Sequence, residues 1–216
     1  MTSAERTPLN RDRIAQAALG LVGREGLTAL TMRRLGAELG VEAMSLYNHV
    51  TNKGDLLDAI VERVYAEVQL PATDLPWREQ ARGVFRGFRQ VGVEHPEAFA
   101  LLTQRAAPSV ESLRVLSRVF AVYRIAGFDD LQAWRAFQVS ASYVVGFVAT
   151  QHGRMAETAA PNGIDLSDLA TDDPDVALFG RMSGRGGDDD FDTGVELLLS
   201  GFESLLHPVP PRVSEQ

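Results

Sequence analysis

The chain has no cysteine, which excludes disulfides, thiol catalysis and cysteine-ligated metal. No apolar run reaches the roughly 18 residues that a membrane-crossing helix needs, and the opening MTSAERTPLNRDR lacks the apolar stretch of a secretion signal. The expected location is therefore the cytoplasm, with no membrane partner. GxSxG, HExxH, P-loop and dinucleotide fingerprints are all missing. Catalysis would have to rest on scattered histidines such as His95 and His152 paired with acids by folding, so no enzyme, cofactor or metal site is expected. Convincing strand alternation is also absent from Leu75 onwards, where Pro71, Pro76, Pro96, Pro108, Gly127 and Pro161 punctuate helical patterns.

Excess basic charge is lacking too: the formal net charge is -8, which taken alone argues against nucleic acid. Its distribution changes that reading. Residues 1–56 hold seven basic against six acidic residues, so the rest of the chain carries -9. The acidity lies away from the N-terminal part, where it limits non-specific binding.

What is present is a 216-residue chain, 45% hydrophobic, with material for a substantial core. Asn10 suits the N-cap of a first helix carrying Ile14, Ala17, Ala18, Leu21 and Val22 at helical spacing and ending at Gly26. Arg11 and Arg13 on it suit either DNA phosphates or plain solvent. Thr31 suits the cap of a short helix with Met32, Leu35 and Leu39 inward, and Gly40 permits a sharp turn. A second helix is expected from Val41 to about Val50. Val41 and Leu46 suffice for its buried side, leaving Ala43, Met44, Ser45, Tyr47, Asn48 and His49 outward. Short side chains with polar tips suit a major groove, whereas solvent alone does not call for an exposed Met44 and Tyr47. Helix pairs with a Gly turn are nonetheless common, and His49 or Tyr47 taken singly has an ordinary packing explanation.

Asn52 and Asp55 resemble a capping box for a helix with Leu56, Leu57, Ile60, Val61, Val64, Tyr65 and Val68 on one wide face. Further helices are predicted near 76–94, 96–106, 109–126 and 129–153, the last opened by Asp129 and Gln132. Its middle, Trp134 to Val148, is apolar nearly all round, as a helix facing both a partner copy and a ligand pocket would be. Residues 154–192 hold ten acidic residues against three arginines and read as a partly mobile acidic loop. A short helical piece is expected near Pro174–Met182, and a final amphipathic helix from Val195 to Leu206.

The run LTMRRLGAELGVEAMSLYNHVTNKGDLLDAI resembles the DNA-binding domain of the tetracycline repressor (TetR) family, most specifically through Leu46, Tyr47, His49 and Lys53. GFDDLQAWRAF, YVVGFVATQH and FDTGVELLLSGFESLL are similar to the regulatory domain of its tetracycline-repressor subgroup. The resemblance implies an all-α fold: a three-helix helix-turn-helix domain in 1–56, a connecting helix in 57–74, and a helical ligand-binding and dimerisation domain in 75–208. It implies a homodimeric, ligand-responsive regulator, most simply a repressor released from a palindromic double-stranded DNA operator by a small-molecule effector. A regulator without a small-molecule effector, or an enzyme, stands as the alternative. The DNA-binding residues implied are Thr31, Arg33, Ala43, Met44, Ser45, Tyr47, Asn48, His49 and Lys53, with Arg33 on a guanine and Lys53 on phosphate. Candidate ligand contacts are Phe85, Phe88, Phe99, Leu102, Arg105, Trp134, Phe137, Gln138, Tyr143 and Phe147, with Arg105 and Gln138 as polar anchors. Leu101 or Leu102 and Thr150 stand where the subgroup holds magnesium with histidine and glutamate, so a metal-free pocket is expected.

Overall fold

A computed structural model describes residues 8–158, 173–183 and 186–206. All regular elements among them are helical: α1 (Arg11–Glu25), α2 (Met32–Leu39), α3 (Ala43–Leu46), α4 (Lys53–Glu67), α5 (Trp77–Glu94), α6 (Pro96–Phe99), α7 (Val110–Ile125), α8 (Asp130–Thr158), α9 (Pro174–Ser183) and α10 (Asp188–Leu206), with 3-10 turns at Leu27–Ala29 and Ala100–Thr103. None of these helices is long and apolar enough to cross a membrane.

The helix starts follow the side-chain chemistry of their caps. Asn10 accepts from the Arg13 amide, Thr31 from Arg34 and Asn52 from Asp55, each satisfying a first-turn N–H. Asp129 and Gln132 form the full reciprocal box ahead of α8. Asp55 does not close its box on Asn52; its carboxylate turns instead to the amide and hydroxyl of Thr51.

The contacts divide the chain into two compact units. The first combines the described residues up to Gln69 with Gln90–Arg118. Its core joins Ile14, Ala18 and Leu21 of α1 to Leu35, Leu46, Val50, Leu56 and Ile60, and α6 packs on both α1 and α4 through Ala98 and Phe99. The helix expected over 96–106 is a single α-turn that tightens to 3-10 at Ala100. Three residues per turn stack Leu101 over Ala98, and both are buried.

The second unit combines Leu70–Arg89 with the described residues from Val119 onward. Val119, Val122, Tyr123, Ala133, Ala136, Val144, Val148, Val195, Leu199 and Phe202 fill its core. Burial raises the Tyr123 phenol to about 12, and its hydroxyl pairs with Ser140 Oγ at 2.6 Å. The final helix begins at Asp188, earlier than the pattern suggests. Three aspartates in its first turn favour a helix N-terminus, and Phe191 just behind them is buried against Tyr143 and Phe147. The expected acidic loop is thus shortened: Pro174–Ser183 is helical as predicted, Asp188–Asp192 belong to α10, and 159–172 and 184–185 lie outside the described residues. Gly194 lies under the Tyr143 ring, whose hydroxyl would sit 2.0 Å from any Cβ added there.

Arginines along α5 face acids along α10. Arg78 reaches Glu203 at 2.7 Å and Glu196 at 3.1 Å, Arg82 holds Glu196, Arg86 reaches Asp192 at 2.8 Å, and Arg89 reaches Asp188 at 2.7 Å while lying over the Phe191 ring. Hydrogen bonding from Arg82 is the main cause that holds the Glu196 carboxyl down to about 2. A depressed carboxyl stabilises the fold fully above the unfolded value of about 4.3 and loses that contribution as pH falls from there toward the folded value. Acidification through that window should therefore lower the urea midpoint, and Glu196→Gln should flatten this part of the curve. An unaltered pH profile in the variant would remove Glu196 from the account.

Candidate DNA-reading surface

Gly40, in the left-handed region at φ 67°, ends α2 and turns the chain into α3. The second helix of the pair is shorter than expected. Only Ala43–Leu46 is α-helical, and the chain then turns, with the His49 and Val50 amides both donating to the Leu46 carbonyl. Leu46 and Val50 are fully buried and pin this turn from below, while Val41 is half-buried.

With that face held down, the opposite one stands free. Met44 is 73% and Tyr47 44% exposed, Asn48 and His49 are exposed, and Ala43 and Ser45 are half-buried between them. Thr31, Arg33 and Lys53 are exposed as well.

The electrostatics of this unit select among its cations. Arg11 is tied to Asp55 and lies 3.5 Å from Glu62, so it joins α1 to α4 and is not left for phosphate or solvent. Arg24 reaches Glu38 at 2.6 Å, Arg34 holds Glu25 and Glu38, and Arg63 lies 3.2 Å from Glu67 and 3.6 Å from Asp12. The Arg34 hydrogen bond pulls the Glu25 carboxyl below its ordinary value, and the bond from the Thr51 amide does the same for Asp55. Among the described residues, Arg33 and Lys53 have no hydrogen bond or ion pair. Two unneutralised, exposed cations in the same unit as a face of small, hydroxyl, amide and imidazole side chains can meet phosphates and base edges. Arg34–Glu38 and Arg63–Glu67 are i,i+4 pairs on one helix, whereas the other ion pairs that neutralise these arginines join residues 9 to 51 positions apart, which no local pattern announces.

Two family descriptions match the chain: "Bacterial regulatory proteins, tetR family" over residues 14–60, and "Tetracyclin repressor-like, C-terminal domain" over residues 70–206. The chain belongs to the tetR family. It is accordingly a DNA-binding transcriptional regulator, a ligand-responsive repressor by the family it belongs to, and not an enzyme. An HTH-type transcriptional regulator of Saccharopolyspora erythraea is 34% identical to it over 201 residues, 90% of this chain and 84% of that protein. Among solved structures it is similar to the Streptomyces coelicolor TetR family protein ActR in complex with actinorhodin (27% identity, TM-score 0.76, 92% of this chain and 98% of that one). It is also similar to BioQ with its double-stranded DNA operator (25% identity, TM-score 0.65, 91% and 99%).

The candidate ligand contacts fall into separate groups. Phe85, Tyr143 and Phe147 lie together, with Tyr143 centred 6.2 Å from Phe85 and 5.9 Å from Phe147, and Phe88 is half-buried on the same α5. Trp134 stacks on Phe137 at 5.5 Å but is 52% exposed, and Gln138 is exposed. In the single chain α8 leaves Trp134 and Val139 open, on a helix for which the sequence reading expects a partner copy. Phe99 and Leu102 belong to the first unit, buried and half-buried. Arg105 is there too, committed to Asp58 Oδ1 at 2.6 Å and the Gly54 carbonyl at 3.0 Å. Asp58 and Gly54, which hold Arg105, escaped the sequence reading because they lie 47 and 51 residues from it in the chain.

Proposed function

We propose that this tetR-family regulator works in the cytoplasm as a homodimer on a palindromic operator, each chain laying α3 and the turn after it into one major groove of half-sites about one helical turn apart. One observation carries the reading: the exposed Met44–His49 face lies in the unit that also carries Arg33 and Lys53, two exposed cations with no ion pair among the described residues. In this reading Arg33, Ala43, Met44, Ser45, Tyr47 and Asn48 set sequence preference. Thr31, His49 and Lys53, with Tyr47 in part, hold the backbone.

Dimerisation is supported by what the single chain leaves uncovered. Trp134 and Val139 on α8, and Leu197 and Leu205 on α10, are large apolar side chains facing solvent on two helices that pack on each other.

The effector we propose is an aromatic or polycyclic molecule taken up without a metal, in the regulatory part that carries Phe85, Phe88, Phe137, Tyr143 and Phe147. Magnesium keeps near-octahedral oxygen ligands, including one or two carboxylates. Leu101 is buried and donates nothing, and the Thr150 hydroxyl is bonded to the Gly146 carbonyl. His95, near the aligned position, lies 2.9 Å from Glu67. Titrating release of a labelled operator with tetracycline and with aromatic ligands, with and without EDTA, should show release that EDTA leaves intact. Tetracycline-driven release that EDTA abolishes would contradict the metal-free pocket.

A further inference from the structure

The short segment from Glu97 to Arg105 touches the DNA-reading helices at both of their chain connections. Ahead of them, the Glu97 carboxylate accepts the Leu27 amide at 2.6 Å, and both its oxygens lie within 3.5 Å of where a Gly26 Cβ would stand. That amide opens the 3-10 turn leading to buried Leu30 and to Thr31, the cap of α2. Behind them, Arg105 donates to the Gly54 carbonyl and to Asp58. Gly54 adjoins Lys53 in the first turn of α4, and Asp58 is one turn further on. Between these two reaches, Ala98, Phe99 and Leu101 are buried, so the segment is anchored in the same unit.

We propose that Glu97 and Arg105 form a clasp that fixes the orientation of the reading helices, making Glu97, Arg105 and Asp58 positioning residues for operator recognition although none lies on the reading face. The proposal rests on the DNA-reading function given above. α3 is a single turn packed on α2, so its angle follows where α2 begins and where α4 begins. The clasp holds both.

Charge supplies a test whose sign separates positioning from electrostatics. Glu97→Ala and Asp58→Ala each delete a negative charge, which taken alone tightens binding to a polyanion. The clasp requires the opposite: each variant should bind about tenfold more weakly, whereas Glu97→Gln, which keeps an oxygen acceptor, should stay within about threefold of the parent.

The probe is a labelled duplex selected from random DNA by the parent protein, titrated at fixed salt on variants whose urea midpoints confirm folding. Equal or tighter binding by both Glu97→Ala and Asp58→Ala would overturn the clasp, as would equal loss in Glu97→Ala and Glu97→Gln. Failure of the parent itself to select any duplex would instead count against the DNA-reading surface. Should Glu97→Ala not fold, Asp58→Ala with the Glu97→Gln control carries the same decision.

Discussion

Leu46→Ala is expected to destabilise the DNA-binding unit by about 2–5 kcal/mol and to remove operator binding with it. α3 is four residues long, and Leu46 is its one buried side chain. Neither propensity nor hydrogen bonding sustains a helix of one turn in water, so burial of Leu46, fully inaccessible beneath the turn, holds the reading face in place. Alanine there leaves a cavity beneath the turn, where α3 packs on α2. Total stability of a domain is about 5–15 kcal/mol, and the loss falls where DNA is met. Urea denaturation at unchanged slope checks the first part, and operator titration the second. A midpoint shift worth less than about 1 kcal/mol would mean that the turn is held by its neighbours and not by Leu46.

Arg33→Ala should weaken operator binding by about 1–3 kcal/mol, confined to one base pair in each half-site. Arg33 lies on α2, is exposed, and spends its guanidinium on no acid, unlike Arg34 beside it, which holds Glu25 and Glu38. A free fork beside the reading face matches the two acceptors on a guanine edge. Lys53→Ala provides the contrast. Its ammonium, at the first residue of α4, should hold phosphate, so the variant should lose affinity for all sequences alike and lower the salt slope by about 1. An Arg33→Ala protein that selects the same bases as the parent, or a Lys53→Ala protein that changes base preference at constant slope, would reverse the two roles.

Helix starts were the most legible part of the sequence, because caps are local chemistry. Asn10, Thr31, Asn52 and the Asp129–Gln132 pair each bond an amide three residues on, a geometry that spacing alone encodes. Helix lengths were less legible. The apolar signal of Val41–Val50 fits a full helix, yet burial of Val50 is reached by a turn, and periodicity does not distinguish the two. The start of α10 was hidden by composition: two glycines and three aspartates read as loop, and the burial of Phe191 against α8 that makes them helix is a tertiary effect. On the candidate site, the exposed face of α3 followed from its sequence. The fates of Arg11 and Arg105 did not, since their partners Asp55 and Asp58 are 44 and 47 residues away.

The central claim is that two copies of this chain read a palindrome through α3, with Arg33 and Lys53 beside it. It is tested most directly by selecting binding sites from random DNA with the purified protein and measuring how many chains occupy each selected duplex. The account predicts an inverted repeat with half-sites about one helical turn apart and chains bound in pairs. A selected site without internal symmetry, or a single chain on each duplex, would contradict it.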